Sequence, residues 1–190
     1  MHVYDFIITF LAFVYALALT HLLLAATHMI RHRKELIFDW AHALWMGAAL
    51  MVLWGNWISL WDLHGESTFT LPTIAVGFLY SILLYAVCAF VSPKLDGEDG
   101  MNMKRFHETQ SSTYIAAFIV LFAITLPVNY FGATDLSVAN WANQNAIVVA
   151  MLLAAIVPLV FRARWVQIAA PSSLIALLVV YMILFYWVLK

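Results

Sequence analysis

Charged residues are scarce in this sequence. Lys, Arg, Asp and Glu make up only 10% of its 190 residues, whereas 65% of the residues are hydrophobic. A soluble domain carries roughly 25% charged residues, and a soluble core of this size cannot bury so much apolar surface. The apolar residues form six long runs, and a helix that spans a bilayer needs about 20 such residues. The sequence therefore predicts an all-α polytopic membrane protein with six transmembrane helices and the lipid bilayer as its surroundings.

Cysteine is almost absent as well. The single Cys88 excludes an internal disulfide framework and any zinc or iron–sulfur site built from cysteines. The net charge is only −1, so nothing in the composition indicates a nucleic-acid partner. The basic residues occur in groups too small for a polybasic lipid-binding motif.

The predicted spans divide the chain into short segments. They cover residues 4–30, 36–61, 71–92, 112–131, 145–161 and 165–189, within a single membrane-embedded domain over residues 1–190. Only the connection over residues 94–110 has any length, and its glycines and acidic residues predict a flexible linker. No connection is long enough to form a separate domain. Any activity must therefore arise inside the bundle, at its two faces or through partners.

Basic residues occur in alternate connections. They are Arg31, Arg33 and Lys34 after the first span, Lys94, Lys104 and Arg105 after the third, and Arg162 and Arg164 after the fifth. Short loops rich in Lys and Arg stay in the cytoplasm. The pattern predicts that these three connections, including the linker over 94–110, are cytoplasmic and that both termini lie outside. We expect a multi-pass protein of a cell membrane, of the bacterial inner-membrane type.

Two spans share a short sequence match. Residues 80–87 (YSILLYAV) and 181–188 (YMILFYWV) agree at five of eight positions, including both tyrosines. Because the third and sixth spans cross in opposite directions, the match predicts an inverted repeat of 3+3 spans, an arrangement typical of transporters. Chance similarity between two apolar helices is the alternative, and spans one and four show no convincing match.

Histidine is the deepest acid–base group of the spans, since no Asp, Glu, Lys or Arg lies near the middle of any of them. Thr20-His21 recurs seven residues later as Thr27-His28, and two turns of helix bring both pairs to one face. Imidazole titrates near neutral pH, and its neutral nitrogen is a good metal ligand. The histidines on this face predict a route for protons or a set of metal ligands. The alternative is that His21 hydrogen-bonds to a neighbouring helix.

The second span carries a matching polar stripe. Asp39 and His42 are one turn apart, and Asn56 returns to nearly the same face fourteen residues later. We predict that a path for protons or substrate runs between spans one and two. Its lining residues are Thr20, His21, Thr27, His28, Asp39, His42 and Asn56.

A polar cluster is predicted at the cytoplasmic end of this path. The short turn between spans one and two makes them antiparallel neighbours, so His28, Asp39 and His42 lie at similar depth. His107 and Glu108, just before span four, complete the cluster. The alternative is plain helix-end chemistry, because the dipole at a helix N-terminus stabilises Asp39 without any functional reason.

Two tryptophans lie deeper in span two than the interface, where tryptophan is common. Trp54 and Trp57 flank Asn56, and we predict that they line an extracytoplasmic pocket or an oligomer contact. Packing against neighbouring helices is the alternative.

These features favour a small transporter or channel with a histidine-lined, proton-sensitive path for a small ion or molecule. We expect a homo-oligomer without a cofactor. The residues indicate a transporter rather than an enzyme. One alternative is an electron-transfer protein that binds haem b or a divalent metal, with His28 and His42 as ligands from facing helices. Another is a non-catalytic scaffold or accessory subunit.

Overall fold

The computed structural model describes residues 3–64, 69–93, 102–132 and 138–187. The long helices of this part are α1 (Val3–Arg31), α2 (Trp40–Ser59), α3 (Leu71–Val91), α4 (Met103–Gly132), α5 (Val138–Val160) and α6 (Arg164–Tyr186). A short 3-10 helix, Leu60–Leu63, extends α2. Each of the six helices is long and apolar enough to cross a membrane. The prediction of an all-α protein with six candidate spans is confirmed, and the chain is a multi-pass membrane protein.

The fourth helix begins earlier than the sequence predicts. Residues 103–110, predicted as part of the linker, form its first turns, whereas residues 94–101 lie outside the described residues. The side chain of Asn102 caps this helix by accepting the Arg105 backbone N–H at 2.9 Å. The helix therefore continues beyond the apolar stretch that hydropathy marks, and its first two turns carry His107.

The fifth helix also begins earlier, at Val138 rather than at residue 145. Hydrogen bonds to α4 hold its early turns, one from a residue predicted to precede the span and one at the predicted start, residue 145. Trp141 donates its indole N–H to the Leu126 carbonyl at 3.3 Å, and Asn129 donates to the Asn145 side chain at 2.7 Å. Because these polar groups find partners on α4, the segment is stable as helix.

Helix α2 lies at the centre of the bundle. Together with α3, α4, α5 and α6 it forms a ring in which neighbours along the list pack on each other and α6 packs back onto α2. Helix α1 lies outside the ring and packs mainly on α3, with a smaller contact to α2. Fully buried Trp45, Ala48 and Ala49 line the inner face of α2, where small residues let helices approach closely.

The three connections that carry basic residues meet at one end of the bundle, which we name the basic end. The Met103 backbone N–H donates to the Ile37 carbonyl at 3.0 Å, which joins the first of these connections to the second. Arg164, after the fifth helix, forms an ion pair with Asp39 of the first connection. These contacts gather the basic connections on one side, and the cytoplasmic location of that side stays a prediction.

The inverted repeat also stays a prediction. Helices α1 and α3 form one of the most extensive pairs, whereas α4 and α6, their counterparts in a 3+3 repeat, make at most marginal contact among the described residues. Residue 188 of the matched segment lies outside the described residues.

Candidate functional site

A cluster of polar side chains, buried except for one arginine, lies at the basic end of the ring. It combines side chains at the N-terminus of α2, in the first half of α4 and in the first turn of α6. We name it the basic-end cluster, and its members are Asp39, His42, His107, Tyr114, Arg164 and Gln167.

Asp39 is the buried charge of this cluster. Its side chain is 1% exposed and caps α2 by accepting the His42 backbone N–H at 3.1 Å. Its other oxygen accepts a hydrogen bond from the Arg164 guanidinium, which is about half exposed. A buried carboxylate is unfavourable without a counter-charge. Arg164 supplies that charge and ties the start of α6 to the start of α2.

His42 links α2 to the end of α3. Its Nε2 lies 2.8 Å from the carbonyl oxygen of Val91. A carbonyl only accepts hydrogen bonds, so Nε2 carries the proton and Nδ1 of the neutral ring is an acceptor. Nδ1 is buried and has no hydrogen-bond partner in the described part of the chain. The ring therefore keeps a free proton-accepting atom inside the bundle.

Tyr114 lies between the two buried histidines. Its hydroxyl is hydrogen-bonded to Nδ1 of His107, and its ring centroid is 6.3 Å from that of His42 and 5.8 Å from that of Trp45. The rings of His42, Trp45 and His107 thus surround one phenol. The arrangement brings α2 and α4 together through groups that exchange protons.

Gln167 adds a further polar group from α6. Its Nε2 donates to the Pro158 carbonyl at 2.8 Å, which caps the end of α5. Its Oε1 lies near the His107 ring but has no hydrogen bond of normal geometry. The charges of Asp39, Arg164 and Glu108 also act on His107.

Three buried polar atoms in this region have no partner among the described residues: Nδ1 of His42, Nε1 of Trp45 and Oε1 of Gln167. Leaving such an atom unpaired costs about 1–3 kcal/mol, and protein interiors contain few of them. Two of the atoms accept hydrogen bonds and one donates, so the region suits a proton or a small polar species.

The predicted residues of α1 are not part of this cluster. His21 lies 2.8 Å through Nε2 from the Tyr85 hydroxyl of α3, which is the contact with a neighbouring helix given above as the alternative. The ring of His28 packs on that of His32 with centroids 4.4 Å apart. In the described ranges, no hydrogen bond, ion pair or ring contact joins either His21 or His28 to the cluster.

The threonines and the glutamate of the prediction face outward. Thr20 is exposed and bonds to a carbonyl of its own helix at 2.7 Å, and Thr27 is exposed. Glu108 is exposed and pairs with Lys104 at 4.0 Å along α4. Of the predicted cluster, the structure thus brings together Asp39, His42 and His107.

A second polar group lies in the other half of the ring. The Tyr80 hydroxyl is 2.9 Å from the Thr125 hydroxyl. Asn56, whose amide donates to the Val52 carbonyl at 2.8 Å, and Tyr181 lie close to Tyr80. We name Tyr80, Thr125, Asn56 and Tyr181 the tyrosine cluster. Tyr80 and Tyr181 are the first tyrosines of the matched segments.

An apolar layer separates the two polar clusters. Trp45, Ala49 and Val52 of α2 are buried there against Phe118 and Leu121 of α4. The polar groups at the two ends are therefore not joined by side-chain hydrogen bonds in this conformation, as far as the described residues extend.

Trp54 and Trp57 line an apolar groove of about 490 Å³ between α1 and α2, open to the surroundings of the bundle. The groove lies in the half away from the basic end, on the outer side of α2. It is thus separate from the basic-end cluster.

The ligand pair of the metal or haem alternative is not brought together by any contact. His28 packs on His32, whereas His42 is bonded to Val91. Within the described ranges, no group of three or more His, Cys, Asp or Glu residues is arranged to hold a metal ion. No observation on these residues therefore favours that alternative.

The fold and the cluster define a polytopic helical membrane protein with ionisable groups buried at one end. Comparison of the chain with protein-family models, with curated proteins and with solved structures finds no match.

Sequence reasoning missed three members of the cluster: Tyr114, Arg164 and Gln167. Tyr114 and Gln167 are polar residues within predicted spans, which is a usable signal because such groups are costly in lipid. The role of Arg164 had no local signal, since its partner Asp39 lies 125 residues away.

Proposed function

We propose that the protein is a small integral membrane transporter or channel whose proton-sensitive site is the basic-end cluster. One observation carries the proposal: two imidazoles and a carboxylate, which is paired with the half-exposed Arg164, lie buried in a membrane bundle. Ionisable groups are costly at such positions and mark the routes of ions and protons. On this proposal the cargo is a proton or another small ion or molecule, and the protein acts as a homo-oligomer in a cell membrane.

His42 is the proton-accepting group of the proposed mechanism. Its Nε2–H is engaged by the Val91 carbonyl, so an incoming proton binds at Nδ1. Protonation turns this unpaired acceptor into a donor, and the Tyr114 hydroxyl and His107 are the next groups that exchange protons.

The route in this proposal runs along the inner face of α2 towards α4. It begins at the basic-end cluster, crosses the apolar layer around Val52 and Phe118, and reaches the tyrosine cluster. The apolar layer would be the barrier that opens during transport. This route differs from the path predicted between spans one and two, because His21 faces Tyr85 of α3.

A matched pair of histidine variants tests the proposal. Protein in liposomes that contain a pH-sensitive dye is given a pH gradient and a membrane potential, and proton entry is recorded. His42→Gln removes the titrating group but keeps an N–H for the Val91 carbonyl. We expect it to slow proton flux at least about tenfold, whereas His21→Gln stays within about twofold. Thermal unfolding of both variants verifies that they fold.

Two outcomes would contradict the proposal. Equal losses in the two variants would assign the proton route to α1 instead of the basic-end cluster. Wild-type protein that moves no protons, Na⁺, K⁺ or Cl⁻ faster than empty liposomes would remove the transport function.

A further inference from the structure

The side-chain amide of Gln167 has a fixed orientation. Its nitrogen lies 2.8 Å from the Pro158 carbonyl oxygen and 3.4 Å from that of Phe161. Carbonyls only accept hydrogen bonds, so the group that faces them is the NH2 of the amide and not its oxygen. Both carbonyls lie at the C-terminal end of α5, where carbonyls have no partner within the helix. The end of α5 therefore holds the amide in one orientation.

This orientation leaves the amide oxygen to His107. Oε1 of Gln167 lies near the His107 ring, is buried, and has no hydrogen-bond partner of normal geometry among the described residues. An amide oxygen only accepts hydrogen bonds, and a buried acceptor is unfavourable without a donor. Of the groups around it, a ring N–H of His107 can supply that donor.

Only one nitrogen of His107 is available for this contact. Nδ1 is engaged by the Tyr114 hydroxyl, which leaves Nε2. A neutral imidazole carries one proton, and the hydrogen bond that one nitrogen makes determines the state of the other. With the proton at Nε2, Nδ1 is an acceptor and the Tyr114 hydroxyl donates to it. Each polar atom between Tyr114 and Gln167 then meets a group of the opposite kind.

The other tautomer is disfavoured by the same contacts. With the proton at Nδ1, the ring of His107 would donate to the Tyr114 oxygen, and Nε2 would be an acceptor. Nε2 and the Gln167 oxygen would then be two acceptors with no proton between them. Such unpaired acceptors are most unfavourable in the interior, where water does not replace the missing donor.

We propose that Gln167 is a positioning residue that holds the neutral His107 ring with its proton at Nε2, so that the Tyr114 hydroxyl donates to Nδ1. The tautomer follows from the contacts of these three side chains alone. Its effect on proton movement rests on the proposed function.

The tautomer gives Tyr114 a direction for proton transfer. When a proton reaches the Tyr114 oxygen from the side of His42, the phenol gives its own proton to Nδ1 of His107. The phenol is neutral before and after this step, and the positive charge moves to the His107 ring. In the other tautomer Nδ1 already holds a proton, so Tyr114 could not pass one to it. Gln167 therefore acts on proton movement without exchanging a proton itself.

The test is ¹⁵N NMR of the protein with labelled histidines in lipid bilayers near neutral pH, since protonated and unprotonated ring nitrogens differ in chemical shift. The His107 signals are identified by their loss in His107→Asn. We expect the wild type to be protonated at Nε2 and unprotonated at Nδ1. In Gln167→Leu, which has no acceptor, the fraction protonated at Nδ1 should rise at least about fivefold.

A second variant separates the acceptor from the contact with α5. Gln167→Glu keeps an acceptor oxygen and should retain the proton at Nε2. When its carboxylate is ionised, this variant lacks the N–H that donates to Pro158, as Gln167→Leu does. A difference between the two variants is therefore not due to the Pro158 hydrogen bond. Gln110→Leu, the same exchange at an exposed position of α4, should match the wild type.

Two results would overturn this assignment. One is a proton on Nδ1 of His107 in the wild type, whether alone or together with one on Nε2. The other is a fraction in Gln167→Leu equal to that in the wild type and in Gln110→Leu. If Gln167→Leu does not fold, the spectra of the wild type and Gln167→Glu decide. The spectra need no transport, so a failure of this assignment and a failure of the transport function are separate results.

Discussion

The two ends of the bundle are held together by different chemistry. At the basic end, buried polar side chains join helix to helix, as Asp39 does with Arg164 and His42 with Val91. At the opposite end, the Tyr186 hydroxyl donates to the exposed Asp62 at 2.5 Å, and large apolar side chains such as Trp57 are exposed. The basic end thus holds a buried carboxylate with its counter-charge, whereas the polar contacts of the opposite end include the exposed Tyr186–Asp62 bond and uncharged hydrogen bonds such as that between Asn129 and Asn145.

This difference indicates which end moves more readily. Separating the helices at the basic end would leave buried polar groups without partners, at about 1–3 kcal/mol each. At the opposite end the Tyr186–Asp62 contact is exposed, so water replaces it at little cost, and the buried bond between Asn129 and Asn145 involves no charge. We therefore expect a conformational change that opens the apolar layer to begin at the end away from Asp39.

The largest expected effect follows from removing the counter-charge of the buried carboxylate. Arg164→Ala should lower the free energy of unfolding by about 3 kcal/mol, because Asp39 stays buried and unpaired. Unfolding by denaturant in mixed micelles measures this loss. Arg162→Ala, an exposed neighbour, should stay within about 0.5 kcal/mol, and equal losses would mean that the ion pair does not stabilise this end.

A smaller loss is expected at His42. His42→Leu leaves the Val91 carbonyl without its donor and should cost about 1–3 kcal/mol. His42→Gln keeps an N–H for that carbonyl and should cost about 1 kcal/mol or less. The same unfolding titration compares the two variants. A His42→Gln variant as unstable as His42→Leu would argue against the Val91 hydrogen bond as the stabilising contact.

At the opposite end the effect should be smaller again. Tyr186→Phe removes the hydroxyl that binds Asp62, and because this contact is exposed we expect a loss of about 1 kcal/mol or less. Hydrogen exchange at the end of α6 should increase, while that of the first turns of α2 stays unaltered. A loss as large as that of Arg164→Ala would reverse the proposed order of rigidity.

The smallest effect is expected on the surface of the basic end. Glu108→Gln breaks an exposed pair with Lys104 and should cost about 0.3 kcal/mol. Proton flux in liposomes should match that of the wild type. A flux that falls as far as in His42→Gln would return Glu108 to the functional cluster, as the sequence analysis predicted.

The cluster was only partly predictable. The positions of Asp39 and His42 on one turn follow from helical spacing, and His107 follows because basic connections share one side of the membrane. The same spacing gave His21 and His28 a common face but did not indicate which helix that face meets. In the structure it meets α3 through Tyr85, since α1 lies outside the ring.

Helix ends were less predictable than spans. Hydropathy marks the part of a helix that lies in lipid, so the polar first turns of α4 and α5 were assigned to connections. Asn102 and Trp141 show why those turns are helical: Asn102 caps α4 through the Arg105 N–H, and the Trp141 indole donates to the Leu126 carbonyl of α4.

By itself, the sequence determined that this chain crosses a membrane with six helices and that its basic connections are grouped. Those properties depend on local composition: the hydropathy and the basic residues of each segment can be summed without knowing the rest of the chain. Only the tertiary structure decided that α2 is central, that Arg164 neutralises Asp39, and that the histidines of α1 and α2 belong to separate sites. Such pairings depend on which faces of distant helices meet. The composition of a single apolar helix does not determine that choice, because the helices are similar in composition.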